Sequence, residues 1–546
     1  MSYGIALDVG TSGYRSQLVD LSRNGKIIST AITMRHPLPG ANIMDHLHFW
    51  LENGAEVGHK IIMDTVGNLI RTHGAEIESI SRLAVCGNPA QVSMFEGIEV
   101  RDLTYAGPSM LKRLNVNVPD RRGKTVTAGD IGLTALRPES EVVIPPAIRH
   151  EIGADALAMV MKSGLLDSKE TCMVTDYGTN AEMGLFHDGE LFTGSAAAGP
   201  AMEGQAIKHG MLAAPFAISD LNIGEDGLWD NMVLDETLKP VLASRVDPSN
   251  GTVLESSRCQ ARGITGTGVV AAVALGLESG LIKLPHIMTR DNMLHFQGGL
   301  TFSEKDLGEA GKAMGAIRAG HRTLIEEVGI DDEEVSTMYL AGASGTYVDP
   351  IKAQTVGMVP RVVERTVQVG NTSLMMAYDL LVKDETLDEM QQVADSLASK
   401  HVMFAMSKVF EEMYVNEIAY WGEGMPIEMY NTSLRNAGLR QLPAIVRPRS
   451  STRIVSSDIP VLGDNGLRVL DNIGVYLTGS FAGCVGCGTC AQECPENALE
   501  VLDAGPGRYL IRVATEHCLG TACKHCEEIC PQGVYMFSDL KITDRS

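Results

Sequence analysis

Eight of the 11 cysteines fall between Cys484 and Cys530, and no other feature narrows what this chain can fold into as sharply. Cys484, Cys487, Cys490 and Cys494-Pro495 form C-x2-C-x2-C-x3-C-P. Cys518, Cys523, Cys526 and Cys530-Pro531 form C-x4-C-x2-C-x3-C-P. The two fourth cysteines are 36 residues apart, so the tail is an internal duplication. Three thiolates on one tight loop can hold three irons of a cubane, and the fourth ligand must come from elsewhere in the chain. Each proline ends a ligand loop, and Glu496 to Glu500 reads as a short helix that follows.

The runs resemble those of two-cluster ferredoxins, in which the fourth cysteine of each run serves the other cluster. The resemblance implies one [4Fe-4S] cluster on Cys484, Cys487, Cys490 and Cys530, and a second on Cys518, Cys523, Cys526 and Cys494. The four-residue gap after Cys518 departs from the spacing of the first run, reshaping one loop without removing a ligand. Two zinc sites are the competing reading, since tetrahedral thiolate cages also use C-x2-C pairs. Zinc needs neither the triple run nor the terminal Cys-Pro. Disulfides are a poorer account, because nothing in the sequence points to export. The tail reads as an electron-transfer module.

At 546 residues the chain exceeds one hydrophobic core, and two to four domains are expected. A net charge of −23 disfavours a bulk grip on nucleic acid or an anionic membrane. No apolar run reaches membrane-spanning length; the best, Gly268 to Ile282, is broken by Glu278. The N-terminus enters a strand with no basic leader, so the default location is the cytoplasm.

The body of the chain repeats a pattern. Tyr3 to Gly13 is a buried strand running into Asp8-Val9-Gly10-Thr11-Ser12-Gly13; Met173 to Asn180 runs into Asp176-Tyr177-Gly178-Thr179-Asn180. Each is followed by two more strand-like runs, Arg15 to Leu21 with Ile27 to Met34, and Ala181 to Phe186 with Glu190 to Thr193. The first half continues with a helix near Val57 to Thr72, strands Leu83 to Val85 and Val142 to Ile144, and a helix His150 to Lys162. In the second half, Ser303 with Asp306 reads as a capping box opening a helix to about Val328. A strand Thr337 to Ala341, a helix near Pro350, a strand Thr366 to Val369 and a helix Thr372 to Val382 follow. Two such halves predict an α/β fold of paired mixed sheets facing across a cleft.

That arrangement resembles the acetate and sugar kinase, heat-shock chaperone and actin superfamily of ATP-binding proteins, with ribonuclease-H-like halves. The resemblance implies that Asp8 and Asp176 handle magnesium and its waters. It places Gly10, Thr11, Ser12 and Gly13, then Gly178, Thr179 and Asn180, on the phosphates. Glycine admits backbone N–H groups to phosphate, hydroxyls add donors, and carboxylates supply hard oxygens. Tyr339 to Gly345 resembles the adenosine motif, with Gly342, Ala343, Ser344 and Gly345 beneath the nucleoside. Glu182, six residues past Asp176, could orient an attacking water or be a strand-face carboxylate. The expected division is 1–165 and 166–385 for the two ATPase halves, 386–474 for a helical segment and linker, and 475–546 for an α+β two-cluster ferredoxin-like domain.

Other candidates are discounted. Gly263 to Gly268 lacks the lysine of a P-loop and reads as the packed start of a helix. Cys86 reads as a buried small hydrophobe. His36, His46 and His48 match no zinc spacing and read as surface or packing residues. Asp331 to Glu334 reads as a solvated acidic turn. Leu387 to Ala437 reads as helices with a partner surface, and Pro443 to Pro460, with Arg447, Arg449 and Arg453, as a solvated linker.

An ATP-hydrolysing clamp joined to clusters suits electron transfer to an acceptor of lower potential, where every 59 mV uphill is about a tenfold loss in equilibrium. The whole chain is similar to the reductive activases of corrinoid methyltransferase proteins in methylamine-using methanogens. The match lies in Gly4 to Gly13, Ile144 to Ile148 with His150 to Ala156, Thr175 to Glu182 with Ser195 to Pro200, Ala316 to Gly320, and the cysteine runs. Many relatives in the wider family carry an N-terminal two-iron cluster that this chain lacks. The resemblance implies ATP-dependent reduction of cobalt(II) to cobalt(I) in a corrinoid methyl-carrier protein, with a separate low-potential electron donor. The alternatives are ATP-driven donation to another low-potential metalloenzyme, or a redox-sensing assembly or chaperone protein.

Overall fold

A computed structural model of the chain describes residues 2–104, 108–148, 152–178, 180–199, 201, 206–255, 259–397, 400–470, 473–520 and 523–543. The chain divides into two compact units, Met1–Ala154 with Ala377–Gln391 and Gly463–Ser546, and Asp155–Met376 with Gln392–Leu462.

The first unit is organised by a seven-stranded sheet in the order Leu467–Leu470, Lys26–Thr33, Tyr14–Asp20, Tyr3–Val9, Ile80–Gly87, Glu141–Ile144, Lys124–Thr127. Tyr3–Val9 is central and buried on both faces, as its near-continuous apolar run demands. It pairs antiparallel with Tyr14–Asp20 and parallel with Ile80–Gly87. Helices Ile43–Asn53 and Ala55–Thr72 belong to the same unit; Ile61, Ile62, Val66 and Leu69 on the second are fully buried. The segment Ala377–Gln391 closes on Gly4, where an added Cβ would lie 2.7 Å from Leu381 Cδ1, and the Tyr378 hydroxyl donates to the Gly25 carbonyl at 2.7 Å. The cysteine runs sit on an antiparallel sheet ordered Leu499–Asp503, Tyr509–Ala514, Tyr476–Gly479, Lys541–Thr543. Its inward residues Leu477, Leu499, Ile511 and Val513, with Phe537 of the turn Phe537–Asp539, join one continuous apolar core with Ile5, Leu7 and Val85.

The second unit has its own seven-stranded sheet, ordered His401–Val402, Glu190–Ala197, Asn180–His187, Cys172–Tyr177, Thr337–Ala341, Arg365–Gly370, Ser450–Arg453. In chain order, a five-stranded sheet built from Ala217–Ile223, Trp229–Leu234, Pro240–Val246, Val253–Glu255 and Gly263–Ile264 comes between Glu190–Ala197 and the long helix. Helix Glu304–Val328 opens on Ser303 with the reciprocal Ser303–Asp306 capping box and ends at Gly329 in the left-handed region. Midway along it Arg318 is buried and doubly paired with Glu417 of helix Lys408–Glu423, Nε to Oε1 and Nη2 to Oε2 both at 2.5 Å. The Tyr430 hydroxyl donates to the same carboxylate, which satisfies a charge pair that would otherwise be costly to bury.

Several sequence expectations need correction. The helix read from His150 begins at Ala154 and runs to Ser163, with an Ile148–Ile152 bridge before it; His150 itself lies outside the described residues. Glu496 to Glu500 is not helical: the helical turn is Thr489–Gln492, and Leu499–Asp503 is a strand paired with Tyr509–Ala514. Asn497, at φ 51, breaks the chain between them. The linker Pro443 to Pro460 contains Ser450–Arg453, an edge strand parallel to Arg365–Gly370. Its arginines are anchored, Arg447 on Glu278, Arg449 on Glu364 and Arg453 on Gln368. Asp332 is buried against Arg322 rather than solvated. Leu387 to Ala437 is helical as read, in Thr386–Leu397, Lys408–Glu423 and Ile427–Asn436. Gly263 to Gly268 packs as read: Thr265 caps helix Gly266–Ser279, and a Cβ at Gly268 would lie 2.6 Å from the Ile218 carbonyl. Among the described residues no helix is long and apolar enough to cross a membrane.

Candidate functional site

Two acidic turns lie at corresponding strand ends. In the first unit Asp8 is 5 % exposed near the end of Tyr3–Val9, directly opposite Arg15 on the next strand and in register with Cys86 on the parallel one. Gly10 makes the chain double back; an added Cβ would lie 2.8 Å from the Gly13 carbonyl. Thr11 is fixed from outside the turn. Asn88, the cap of helix Pro89–Glu96, accepts from Gln91 N through its Oδ1 and donates its Nδ2 to Thr11 Oγ1 at 3.0 Å. Ser12 is buried, and its Oγ has no hydrogen-bond partner among the described atoms. A buried hydroxyl left in that condition is costly unless something polar arrives, which suits a phosphate oxygen.

In the second unit Asp176 lies near the end of Cys172–Tyr177, and the residue directly opposite it is Glu182. Two carboxylates facing each other across an antiparallel pair repel, unless a cation lies between them. Asp176 is also in register with Ala341 on the parallel strand, which brings it to Gly342. Gly342 sits at φ 77, and any Cβ there would collide with Asp176 Oδ1. Glycine is therefore required at 342 by backbone angle and by space. Gly345 packs as closely, a Cβ there lying 2.7 Å from the Leu340 carbonyl carbon. Gly342, Ala343, Ser344 and Gly345 form the first turn of helix Gly342–Tyr347, with Thr346 Oγ1 bonded back to the Gly342 carbonyl at 3.0 Å. The structure thus brings Asp176, Glu182 and the 342–345 run together. Gly178 and Asn180 flank the turn, while Thr179 lies outside the described residues. Below the turn, Thr175 Oγ1 meets His321 Nε2 at 2.7 Å, and burial lowers that imidazole's pKa to about 3.

The eight tail cysteines gather into two groups of four. Cys484, Cys487, Cys490 and Cys530 line one cavity with Val485, Val501, Ile511, Val534 and Tyr535. Cys494, Cys518, Cys523 and Cys526 line another with Ala498, Leu499, Val513, Tyr535 and Phe537. Each group takes its fourth thiol from the other run. Glu496, Lys524 and His525 also line the second cavity, but four thiols to each cavity suit an iron–sulfur cube better than an oxygen-loving cation. The sulfurs also receive donors: Ala498 N to Cys494 Sγ and Gly520 N to Cys518 Sγ at 3.3 Å, and Thr489 Oγ1 to Cys487 Sγ at 3.4 Å.

The two cavities differ in setting. Cys487 is exposed, and the Thr489 hydroxyl holds its thiol below the usual range. Cys518 is half-buried, and its burial pushes the thiol up to about 12. Gly40 N bonds to the Cys518 carbonyl at 2.8 Å, and Gly520 faces Pro39. Behind that loop, His36 and His46 stack at 3.8 Å and are both held by Gln91, His36 Nε2 to Oε1 and Nε2 to His46 Nδ1 at 2.9 Å each. They are packing residues, as is fully buried Cys86; His48 is exposed. Sequence reasoning missed Asn88, Arg15 and Tyr535. Asn88-Pro89, a cap residue before a first-turn proline, was a usable signal.

Comparison with known proteins agrees with this architecture. The family described as the RACo middle region matches residues 3–168, the C-terminal domain of RACo, the ASKHA domain, matches 170–431, and a 4Fe-4S dicluster domain matches 483–534. Over 542 residues the chain is 43% identical to the [Co(II) methylated amine-specific corrinoid protein] reductase of Methanosarcina barkeri, covering 99% of each chain. It is 23% identical over 401 residues to the corrinoid activation enzyme RamQ of Eubacterium limosum, covering 66% of this chain and 60% of that one. A solved structure of a reductive activator for corrinoid, iron-sulfur protein superposes with a TM-score of 0.61 at 24% identity, covering 76% of this chain and 66% of that one, and shows the shared fold. Full-length identity at this level, on an actin- and sugar-kinase-like body with a dicluster tail, makes the chain a member of the RACo family of corrinoid-protein reductive activators.

Proposed function

We propose that this chain reduces a corrinoid methyl-carrier protein of the methylated-amine type from cobalt(II) to cobalt(I), one electron at a time, in a step driven by ATP. The observation that carries the reading is the union, in one chain, of two four-cysteine cages with two acid-and-glycine turns. The full-length relative named as a reductase of such a protein supports the choice of acceptor. The electron itself comes from an outside donor of low potential.

Cys484, Cys487, Cys490 and Cys530 would hold one [4Fe-4S] cluster, and Cys494, Cys518, Cys523 and Cys526 the other. When bound, such clusters carry single electrons at low potential. Residues 475–546 are then the electron-transfer module. Gly10, Thr11, Ser12 and Gly13 would receive one part of the ATP phosphates, and Gly178, Thr179 and Asn180 another. The 342–345 run would support the adenosine. Asp176 with Glu182 offers the hard oxygens that Mg2+ prefers, and Asp8 would order water near the phosphates. Reduced thiols in this number suit a cytoplasmic setting, and the charge of −23 speaks against nucleic acid as a partner.

The test is anaerobic absorption spectroscopy of reconstituted protein, a reductant and a cobalt(II) carrier, with and without ATP. The cobalt(I) spectrum is expected only with ATP and Mg2+; hydrolysis with cobalt left at +2 would sink the reading. Asp8→Asn and Asp176→Asn should each abolish ATP-driven reduction with iron content intact. Full activity in both would remove the nucleotide-site assignment.

A further inference from the structure

The two cysteine runs are duplicates, yet one position between their cavities is not symmetrical. Five residues beyond Cys494 stands Leu499, and five beyond Cys530 stands Tyr535. Leu499 lines the second cavity, whereas Tyr535 lines both. Tyr535 is 2 % exposed, and its ring leans on Phe481 with centroids 5.1 Å apart. Its hydroxyl has no hydrogen-bond partner at ordinary geometry among the described protein atoms. A phenol at neutral pH is a donor, and burial raises this one's pKa further. Leaving such a donor unmet in an apolar interior is costly, so its retention points to an acceptor outside the protein's own oxygens and nitrogens.

Resting on the reading that the cages hold [4Fe-4S] clusters, we propose that Tyr535 is a positioning residue for electron transfer. Its hydroxyl, a single donor, donates a hydrogen bond into the sulfur shell of one of the two cages that the side chain lines. Reduction adds negative charge to that shell, and a donor aimed at it favours the reduced state more than the oxidised one. The cluster that receives the donor therefore takes an electron more readily than it would without it. Duplicated cages become unequal, which gives the electron a direction between them.

The measurement is a potentiometric titration followed by electron paramagnetic resonance, on the full chain reconstituted with iron and sulfide. Tyr535→Phe should keep the iron of two cubes and shift one of the two potentials negative by about tenfold in the reduction equilibrium, or 59 mV for one electron. Neither potential moving, both moving together, or a positive shift would overturn the proposal. If the phenylalanine variant loses iron, 3-fluorotyrosine placed at position 535 alone keeps the ring and strengthens the donor. It should shift the same potential positive, and no shift would equally overturn the idea. Iron counting of the unmodified chain separates the two levels: without two cubes the cluster reading itself fails, and this inference fails with it.

Discussion

The two acidic turns sit at corresponding strand ends and carry opposite electrostatics. Asp8 lies across from Arg15, so the first turn is charge-balanced, nearly sealed, and braced from outside by Asn88. Asp176 lies across from Glu182, so the second turn is doubly acidic and pressed against Gly342. A duplicated strand-and-turn thus supplies two tools. On the reading proposed above, one is a glycine turn whose buried hydroxyl would meet a phosphate oxygen; the other is a carboxylate pair that would gain by holding a divalent cation.

The largest separation between the turns should come from Glu182→Gln against Arg15→Gln. Removing Glu182 should lower magnesium-supported ATPase by about a hundredfold and raise the Mg2+ concentration needed. The same change should slightly raise thermal stability in metal-free buffer, because two like charges no longer face each other. Arg15→Gln should do the reverse, lowering stability while leaving the Mg2+ requirement unchanged. A Mg2+ titration with thermal melts of both variants decides it, and matching behaviour would mean that the turns are equivalent after all.

Acid should separate the units next. The first buries His36, His46 and His73, with His36 and His73 lowered to about 4 by burial; the second buries His321, lowered to about 3. These rings are neutral when folded and take up protons near pH 6.5 when unfolded, so their contribution is present above that pH and is lost as pH falls toward 4. Each contributes at most a few kcal/mol, because a tenfold difference in proton affinity between folded and unfolded chain corresponds to about 1.4 kcal/mol. Hydrogen exchange between about pH 7 and about pH 4.5 should show the first unit opening before the second; the opposite order would refute the histidine account. The smallest effect is Asn88→Ala, which loses a helix cap worth about 1 kcal/mol and frees Thr11. The KM for ATP should rise severalfold with little change in kcat, measured by steady-state hydrolysis.

Legibility in the sequence followed locality. Thr337–Ala341, Thr372–Val382 and the Ser303 capping box are where patterning places them, because each is set by its own residues. Ser450–Arg453 was unreadable: four exposed polar residues become a strand only through the edge of Arg365–Gly370. The strands Ala217–Ile223 to Val253–Glu255 carry no motif, so patterning does not separate them from the rest of the second unit. At the sites, the cysteines, the aspartates and the glycines announced themselves by spacing. The partners that give them character, Arg15, Asn88, Gly342 against Asp176, and the buried Tyr535 hydroxyl, are products of register and packing.

The continuous apolar core running from Ile5 and Val85 to Leu499, Ile511 and Phe537 has a consequence for the life of the protein. Whatever fills the cages needs four thiols brought together by folding and so binds the folded form best, which stabilises the entire first unit by mass action. Oxygen damage to the cubes would then not leave a sound ATPase with a dead wire. It would loosen the half of the molecule that bears Asp8 and mark the chain for proteolysis, so that a cell short of iron would clear the enzyme rather than accumulate one that spends ATP without delivering electrons.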